Sequence, residues 1–119
     1  LQKAGSDLGT ACAIVMDDTC DMVKACINIA HFFADESCGQ CTPCREGCHW
    51  LEKIYRRIDA GEGTAADLDL LHSLFGNIEG RTICALADAA VWPLRSILKK
   101  FRPEFEARLK APAAVAGVR

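Results

Sequence analysis

Three cysteines that are separated by two residues each are the residues of this chain best suited to chemistry. Cys38, Cys41 and Cys44 lie within Ser37-Cys-Gly-Gln-Cys-Thr-Pro-Cys-Arg-Glu-Gly47, and another cysteine follows far downstream at Cys84. A tight loop of three thiolates can bind three iron corners of a cubane cluster while a distant segment supplies the fourth ligand. Structural zinc sites more often combine two CxxC or HxxxH pairs. The spacing therefore predicts an iron–sulfur cluster.

The residues around this triplet also suit an anionic metal group. Gly39 and Gly47 are expected to relieve crowding where the backbone folds around a bulky inorganic core. Thr42 and Pro43 are typical of an N-cap and a first helical position, so we expect the third cysteine to open a helix. The amides and the dipole of that helix end favour negative charge, and Arg45 would add a cation beside it.

Two cysteines compete for the fourth ligand position. Cys48 completes the C-x2-C-x2-C-x3-C spacing of bacterial ferredoxins, but there the last cysteine precedes a proline and serves a second cluster. Here His49 follows, and the chain has no second triplet. On a helix, Cys48 would lie one turn beyond the third cysteine and act as a small buried hydrophobe. The residues favour Cys84 over Cys48.

Cys84 lies between two predicted helices, where a bundle would return it to the cysteine loop. Ile83 and Leu86 are expected to shield the cluster from water, and Arg81 to offset its charge. The other cysteines and the histidines have no ligand spacing, so buried, incidental or surface roles are predicted for them. These residues are Cys12, Cys20, Cys26, His31, His49 and His72.

The elements that must position these cysteines are mostly helical. The apolar run Thr10–Met16 predicts one strand, left from a domain that precedes it. A helix capped by Asp18 or Thr19 is predicted to run to about Ala34, because apolar residues recur there at helical spacing. A second helix follows the cysteine loop and ends near residues 60–63, where glycines indicate a turn.

Three further helical segments follow. Thr64 and Asp67 form the pattern of a capping box for a third helix that ends before residue 80. A fourth helix over residues 85–101 is predicted to be kinked or restarted at Pro93, and a short last helix covers residues 104–110. The fold predicted is all-α: a four-helix bundle that carries the cluster at one end. Its domains are a remnant at 1–17, the helical domain at 18–110 and a mobile tail at 111–119.

The composition and charge of the chain argue against nucleic-acid-binding and membrane-spanning proteins. The chain has 119 residues, of which 50% are hydrophobic, and a formal net charge of −2. These values suit one compact domain and argue against a nucleic-acid partner, which would select a basic patch. No apolar run approaches the roughly 18 residues of a membrane span, so no direct membrane insertion is predicted. The absence of a signal peptide favours a reduced, intracellular setting, and the start at Leu1 suggests a fragment.

Three segments of the chain resemble one known family closely. They are Glu36-Ser-Cys-Gly-Gln-Cys-Thr-Pro-Cys-Arg-Glu-Gly47, Ile78-Glu-Gly-Arg-Thr-Ile-Cys-Ala-Leu-Ala-Asp-Ala-Ala-Val-Trp-Pro93 and Phe101-Arg-Pro-Glu-Phe-Glu106. Together they resemble the C-terminal iron–sulfur domain of the NADH-binding, flavin-carrying (51 kDa-type, F-type) subunits of respiratory complex I. The start of the chain is similar to the end of the ubiquitin-like (SLBB-type) domain that precedes it there. Family members usually have an apolar residue at the position that Cys48 occupies in this chain.

The resemblance implies a function and partners. It implies that a 4Fe-4S cluster, bound at Cys38, Cys41, Cys44 and Cys84, passes electrons from reduced FMN toward quinone. The FMN and NADH sites would lie upstream, in the full-length subunit, so that this chain is part of an NADH dehydrogenase. The implied partners are the 24 kDa-type and 75 kDa-type subunits, in a peripheral complex on the cytoplasmic or mitochondrial matrix side of the inner membrane. The alternatives are the equivalent domain of an NAD-linked hydrogenase or formate dehydrogenase, or a structural zinc module.

Overall fold

Four helices of similar length and one short helix make up the fold. The computed structural model describes residues 1, 3, 9 and 11–110, and in that part of the chain every regular element is a helix. The helices are α1 (Met22–Asp35), α2 (Thr42–Asp59), α3 (Ala65–Ile78), α4 (Leu86–Lys100) and α5 (Arg102–Glu106). The prediction of an all-α bundle is confirmed.

The helices pack as antiparallel neighbours because short connections join them. α1 packs against α2 and α4, and α3 packs against the same two helices. The core lies between the four and is lined by large apolar side chains that are fully buried, including Tyr55, Phe75, Leu94 and Phe105. None of the helices described is long and apolar enough to cross a bilayer.

The predicted strand over Thr10–Met16 is not found. Residue 10 lies outside the described residues, and residues 11–16 form no strand. Ile14 and Val15 are exposed in this segment. A strand forms by pairing with a neighbour, and the described part of the chain offers it no second strand. The proposed remnant at 1–17 and the tail at 111–119, which lies outside the described residues, remain predictions.

The start of α1 differs from the prediction. Asp21 is the N-cap, and its carboxylate accepts hydrogen bonds from the backbone N–H groups of Val23 and Lys24 at 3.0 and 3.1 Å. Asp17 accepts from the backbone N–H and the hydroxyl of Thr19, at 3.0 and 2.6 Å, which fixes a turn just before the helix. Asp18 and Thr19 therefore do not cap α1, because this turn precedes the helix.

α3 and α4 give one confirmation and one correction. Asp67 accepts hydrogen bonds from the N–H and hydroxyl of Thr64, so the predicted capping box is present. α4, by contrast, is one helix that runs through Pro93, so the predicted restart is wrong, while a kink at Pro93 stays a prediction. Proline removes one helical hydrogen bond, but burial of Val91 and Leu94 on either side holds the helix in the bundle. α5 likewise begins at Arg102 and ends at Glu106, earlier than predicted.

Candidate metal centre

The four cysteines predicted as ligands line one cavity of about 160 Å³ at an end of the bundle. The antiparallel order of the helices explains this, because the end of α1, the start of α2, the end of α3 and the start of α4 all lie there. The cavity wall also includes Glu36, Ser37, Thr82 and Leu86. Cys48 is not among the residues that line it.

Each cysteine comes from a different local structure. Cys38 lies in the loop after α1, and Cys41 is the N-cap residue of α2. Cys44 lies in the first turn of that helix, where its N–H donates to the carbonyl of Cys41 at 3.1 Å. The sequence predicted Thr42 as the cap, so the helix begins one residue earlier than expected. Cys84 lies in the connection between α3 and α4.

The cavity is closed toward the core and open toward solvent. Cys44 is buried and Cys41 is half-buried, whereas Cys38 and Cys84 are exposed. Leu86 lines the cavity as predicted. Ile83 was expected to shield the site, but its side chain is 86% exposed and is not part of the wall. In this connection the backbone of Ile83, and not its side chain, faces the cysteine loop.

The donor set fits a 4Fe-4S cluster. Four cysteine thiols are the ligands that such clusters use, one for each iron corner. A cavity between the four thiols accommodates a body with several metal atoms. In the part of the chain that is described, no three Cys, His, Asp or Glu side chains come together closely enough to share a single metal ion.

Gly39 and Arg45 shape the cysteine loop. Gly39 has a φ of +80°, a conformation that L side chains rarely adopt. The guanidinium of Arg45 donates to the carbonyl of Gly39 at 2.7 Å and to the hydroxyl of Thr42 at 3.4 Å. Arg45 therefore holds the loop in its turn. It does not line the cavity and it also pairs with Glu46 at 2.9 Å, so its role as a cation beside a cluster stays a prediction.

Gly47 has a different role from the one predicted. A Cβ atom at this position would lie 2.6 Å from Cδ1 of Ile78, the last residue of α3. The missing side chain thus allows α2 to approach the end of α3. Close helix packing, and not crowding around an inorganic core, explains this glycine.

Two hydrogen bonds involve cysteine sulfur atoms on the cavity wall. The hydroxyl oxygen of Ser37 lies 3.2 Å from Sγ of Cys44. The backbone N–H of Ile83 donates to Sγ of Cys41 at 3.5 Å, which joins the two halves of the site. Sequence reasoning missed both contacts. Only the position of Ser37 next to Cys38 could have suggested the first.

The start of the connection that carries Cys84 is anchored to α4. The N–H of Gly80 donates to a carboxylate oxygen of Asp88 at 2.7 Å. Glu79 accepts from the guanidinium of Arg95 at 2.5 Å and from the indole of Trp92 at 2.6 Å, and these bonds lower the pKa of Glu79. These anchors bring the connection back against α4, so that Cys84 reaches the cavity.

Arg81 was predicted to offset the charge of a cluster, but it does not line the cavity. Its side chain donates to the carbonyl of Gly76 at 3.2 Å, back along α3. Thr82 does line the cavity, but its hydroxyl donates to the carbonyl of Cys84 at 2.9 Å and so supports the backbone at that cysteine.

None of the remaining cysteines lines the cavity. Cys48 is buried as predicted, and burial, followed by the neighbouring Cys44, raises its pKa to about 12. Cys26 is also buried in the core, and burial raises its pKa to about 12. Both are therefore neutral thiols near pH 7. Cys12 and Cys20 are exposed.

The histidines occupy structural or surface positions. His31 is half-exposed. Its Nδ1 atom lies 3.2 Å from Oε1 of Glu52, and its Nε2 atom lies 3.5 Å from Oδ2 of Asp35. The ring of His72 meets Phe75 edge to face, and His49 is exposed on α2. None of the three lines the cavity.

Comparison with known proteins places this geometry in a family context. The family described as "NADH-ubiquinone oxidoreductase-F iron-sulfur binding region" matches residues 24–108. The chain is 48% identical over 110 residues to the mitochondrial NADH-ubiquinone oxidoreductase 51 kDa subunit of Neurospora crassa, covering 92% of this chain and 22% of that protein. It is 46% identical over 111 residues to the F-type NADH-quinone oxidoreductase subunit of Rhodobacter capsulatus, covering 93% and 26%.

A solved structure is similar as well. In a crystal structure of an NAD+-reducing [NiFe]-hydrogenase in the H2-reduced state, one chain superposes with a TM-score of 0.78 at 35% identity. The match covers 83% of this chain and 17% of that one. The chain thus spans about a quarter of the length of the curated relatives, and the described helices recur within much longer proteins.

Proposed function

Because the chain belongs to the family of NADH-ubiquinone oxidoreductase-F iron–sulfur binding regions, we propose that it holds its 4Fe-4S cluster in the cavity at the cysteine end and relays single electrons. The observation that carries the proposal is the convergence of four cysteines from two distant segments on one cavity. The proposed ligands are Cys38, Cys41, Cys44 and Cys84.

Different residues in and around the cavity would have different roles in binding the cluster. The four thiols lose their protons to become ligands. Gly39 and Arg45 hold the cysteine loop in its turn, and Asp88 anchors the connection that brings Cys84. Leu86 and the buried Cys44 keep water from the inner side. When bound, a 4Fe-4S cluster supplies one-electron transfer at a potential that the surrounding hydrogen bonds and solvent exposure adjust.

We propose that the electrons come from reduced FMN bound in another part of the full-length subunit. NADH would reduce that flavin, and quinone would be the final acceptor; the names of the relatives state NADH and quinone for those proteins. The exposure of Cys38 and Cys84 supports this role, because the open side of the cavity leaves a short path to a donor or acceptor outside the chain. The described residues include no segment that we assign to hydride transfer.

The proposal extends to partners and location. We propose that the chain works beside the 24 kDa-type and 75 kDa-type subunits, in a peripheral assembly on the cytoplasmic or matrix side of the inner membrane. The similarity to an NAD+-reducing hydrogenase supports the hydrogenase alternative only as a related family, since the identity to F-type subunits is higher.

Anaerobic reconstitution of the 119-residue chain tests the cofactor. We expect about four iron atoms and about four acid-labile sulfides per chain, together with a reducible cluster signal in electron paramagnetic resonance (EPR). Zinc is measured in the same sample after reconstitution with iron and sulfide. Retention of one zinc atom without sulfide would contradict the proposal and favour a structural zinc module.

A further inference from the structure

We infer that the hydroxyl of Ser37 donates a hydrogen bond to the sulfur of Cys44 when that cysteine binds metal, and thereby raises the reduction potential of the cluster. This inference rests on the proposed function. Ser37 is a positioning and tuning residue in this account, and it is not itself a ligand. It lines the same cavity as the four cysteines.

The direction of this hydrogen bond follows from which of the two atoms carries a proton. The two atoms lie 3.2 Å apart, and in the metal-free thiol either one could donate. A cysteine that ligates iron has lost its proton, so its sulfur can only accept. The Ser37 oxygen in turn accepts the backbone N–H of Gly39, at 3.5 Å. The single hydroxyl proton of Ser37 is therefore left to point at the sulfur.

The effect on the potential follows from charge. One-electron reduction adds one negative charge to the cluster and its thiolates, and a donor aimed at a thiolate stabilises the more negative form more strongly. Ser37 is only partly exposed and Cys44 is buried, so water replaces this donor poorly if the hydroxyl is removed. Removing the hydroxyl should therefore make the cluster harder to reduce.

Ser37 differs from the other hydrogen-bonding groups of the cavity. The donor to Cys41 is the backbone N–H of Ile83, which side-chain substitution leaves in place. The hydroxyl of Thr82 also lies on the wall, but it donates to the carbonyl of Cys84 and not to a sulfur atom. Among the described residues of the wall, Ser37 is thus the side chain whose hydroxyl contacts a cysteine sulfur.

The test compares the reduction potentials of reconstituted variants by redox titration monitored by EPR. Ser37→Ala should lower the one-electron reduction equilibrium constant by about threefold to tenfold, where tenfold corresponds to about 59 mV. Ser37→Thr keeps the hydroxyl and should stay near the unsubstituted chain. Ser73→Ala makes the same change on an exposed position of α3 and should have no effect, while Thr82→Val should shift the potential less than Ser37→Ala does.

The outcomes separate this inference from the proposed function. An unsubstituted chain that binds no cluster overturns both. A cluster of normal iron content whose potential is the same in Ser37→Ala overturns the tuning role alone. If Ser37→Ala does not bind the cluster, Ser37→Thr decides: normal binding and potential in that variant assign the loss to the hydroxyl, and loss in both variants overturns the inference.

Discussion

At one end of the bundle charged side chains join the helix termini, whereas at the other end four thiols surround a cavity. Away from the cysteines, Arg108 pairs with both Asp21 at the start of α1 and Asp59 at the end of α2. At the cysteine end, one hydrogen bond in the described structure joins the cysteine loop to the connection of Cys84, from the N–H of Ile83 to the sulfur of Cys41. A bound cluster would add metal–thiolate bonds between these two segments, which one hydrogen bond joins.

Other contacts at the two ends follow this division only in part. Near Arg108, the N–H of Lys110 donates to the carbonyl of Gly63 at 2.7 Å, and Arg57 pairs with the buried Asp67. At the cysteine end, Arg95 pairs with Glu79, and an apolar contact between α2 and α3 lies where Gly47 meets Ile78. We conclude that ion pairs join the segments at the end near Arg108, while at the cysteine end one hydrogen bond joins the cysteine loop to the connection of Cys84, and α2 packs on α3 through an apolar contact.

The largest effect on stability is expected at the apolar contact. Gly47→Ala would drive a methyl group into Ile78 and should lower the free energy of unfolding by about 1–3 kcal/mol. Gly76→Ala is the matched control, because this glycine also lies in a helix but has nothing within 4 Å of the new Cβ. It should raise stability by about 0.5–1 kcal/mol. Urea unfolding of the metal-free chain measures both changes, and equal changes would contradict the packing role.

A smaller, pH-dependent effect is expected at the charged end. Burial raises the pKa of Asp21, but the hydrogen bonds from Arg108 and from the N–H of Lys24, together with the charges of these two residues, outweigh it in sum and hold that pKa below its ordinary value of 3.8. A lowered pKa in the folded state adds stability above the unfolded-state value, and this stability is lost as the pH falls through the folded-state value. Asp21→Ala, which also removes the cap of α1, should therefore cost about 0.5–2 kcal/mol at pH 7.

The difference in the free energy of unfolding between Asp21→Ala and the unsubstituted chain should shrink as the pH falls below 3.8. Urea unfolding at pH 7 and near pH 3 measures it. Asp69→Ala, an exposed position on α3, serves as the control and should leave stability nearly unchanged at both pH values. A difference for Asp21→Ala that stays constant with pH would contradict the ion-pair account of this end.

The sequence was sufficient for the parts of the fold that local patterns determine. Helical spacing predicted the four long helices, and Thr64 with Asp67 predicted the capping box of α3. The four cysteines of the cavity followed from ligand spacing and from the resemblance. Local patterns could not predict that Asp17 would bind Thr19 and shift the cap of α1 to Asp21, because several neighbouring acids and hydroxyls compete for that role.

Features that depend on tertiary contacts were missed for a physical reason. Burial on both sides of Pro93 keeps α4 continuous, and the partner of Gly47 is Ile78, some thirty residues away. The strand over residues 10–16 was predicted from its composition, but a strand also needs a neighbour. The contact of Ser37 with Cys44 depends on the turn at Gly39, which spacing alone does not specify.

The identity of the fourth ligand is the most direct test of the account, because it separates the distant Cys84 from the nearby Cys48. Iron and acid-labile sulfide are measured after anaerobic reconstitution of Cys84→Ser, Cys48→Ser and the unsubstituted chain. The account predicts that Cys48→Ser keeps about four iron atoms per chain, while Cys84→Ser loses the intact cluster and its EPR signal. Normal cluster content in Cys84→Ser, or loss of the cluster only in Cys48→Ser, would contradict it.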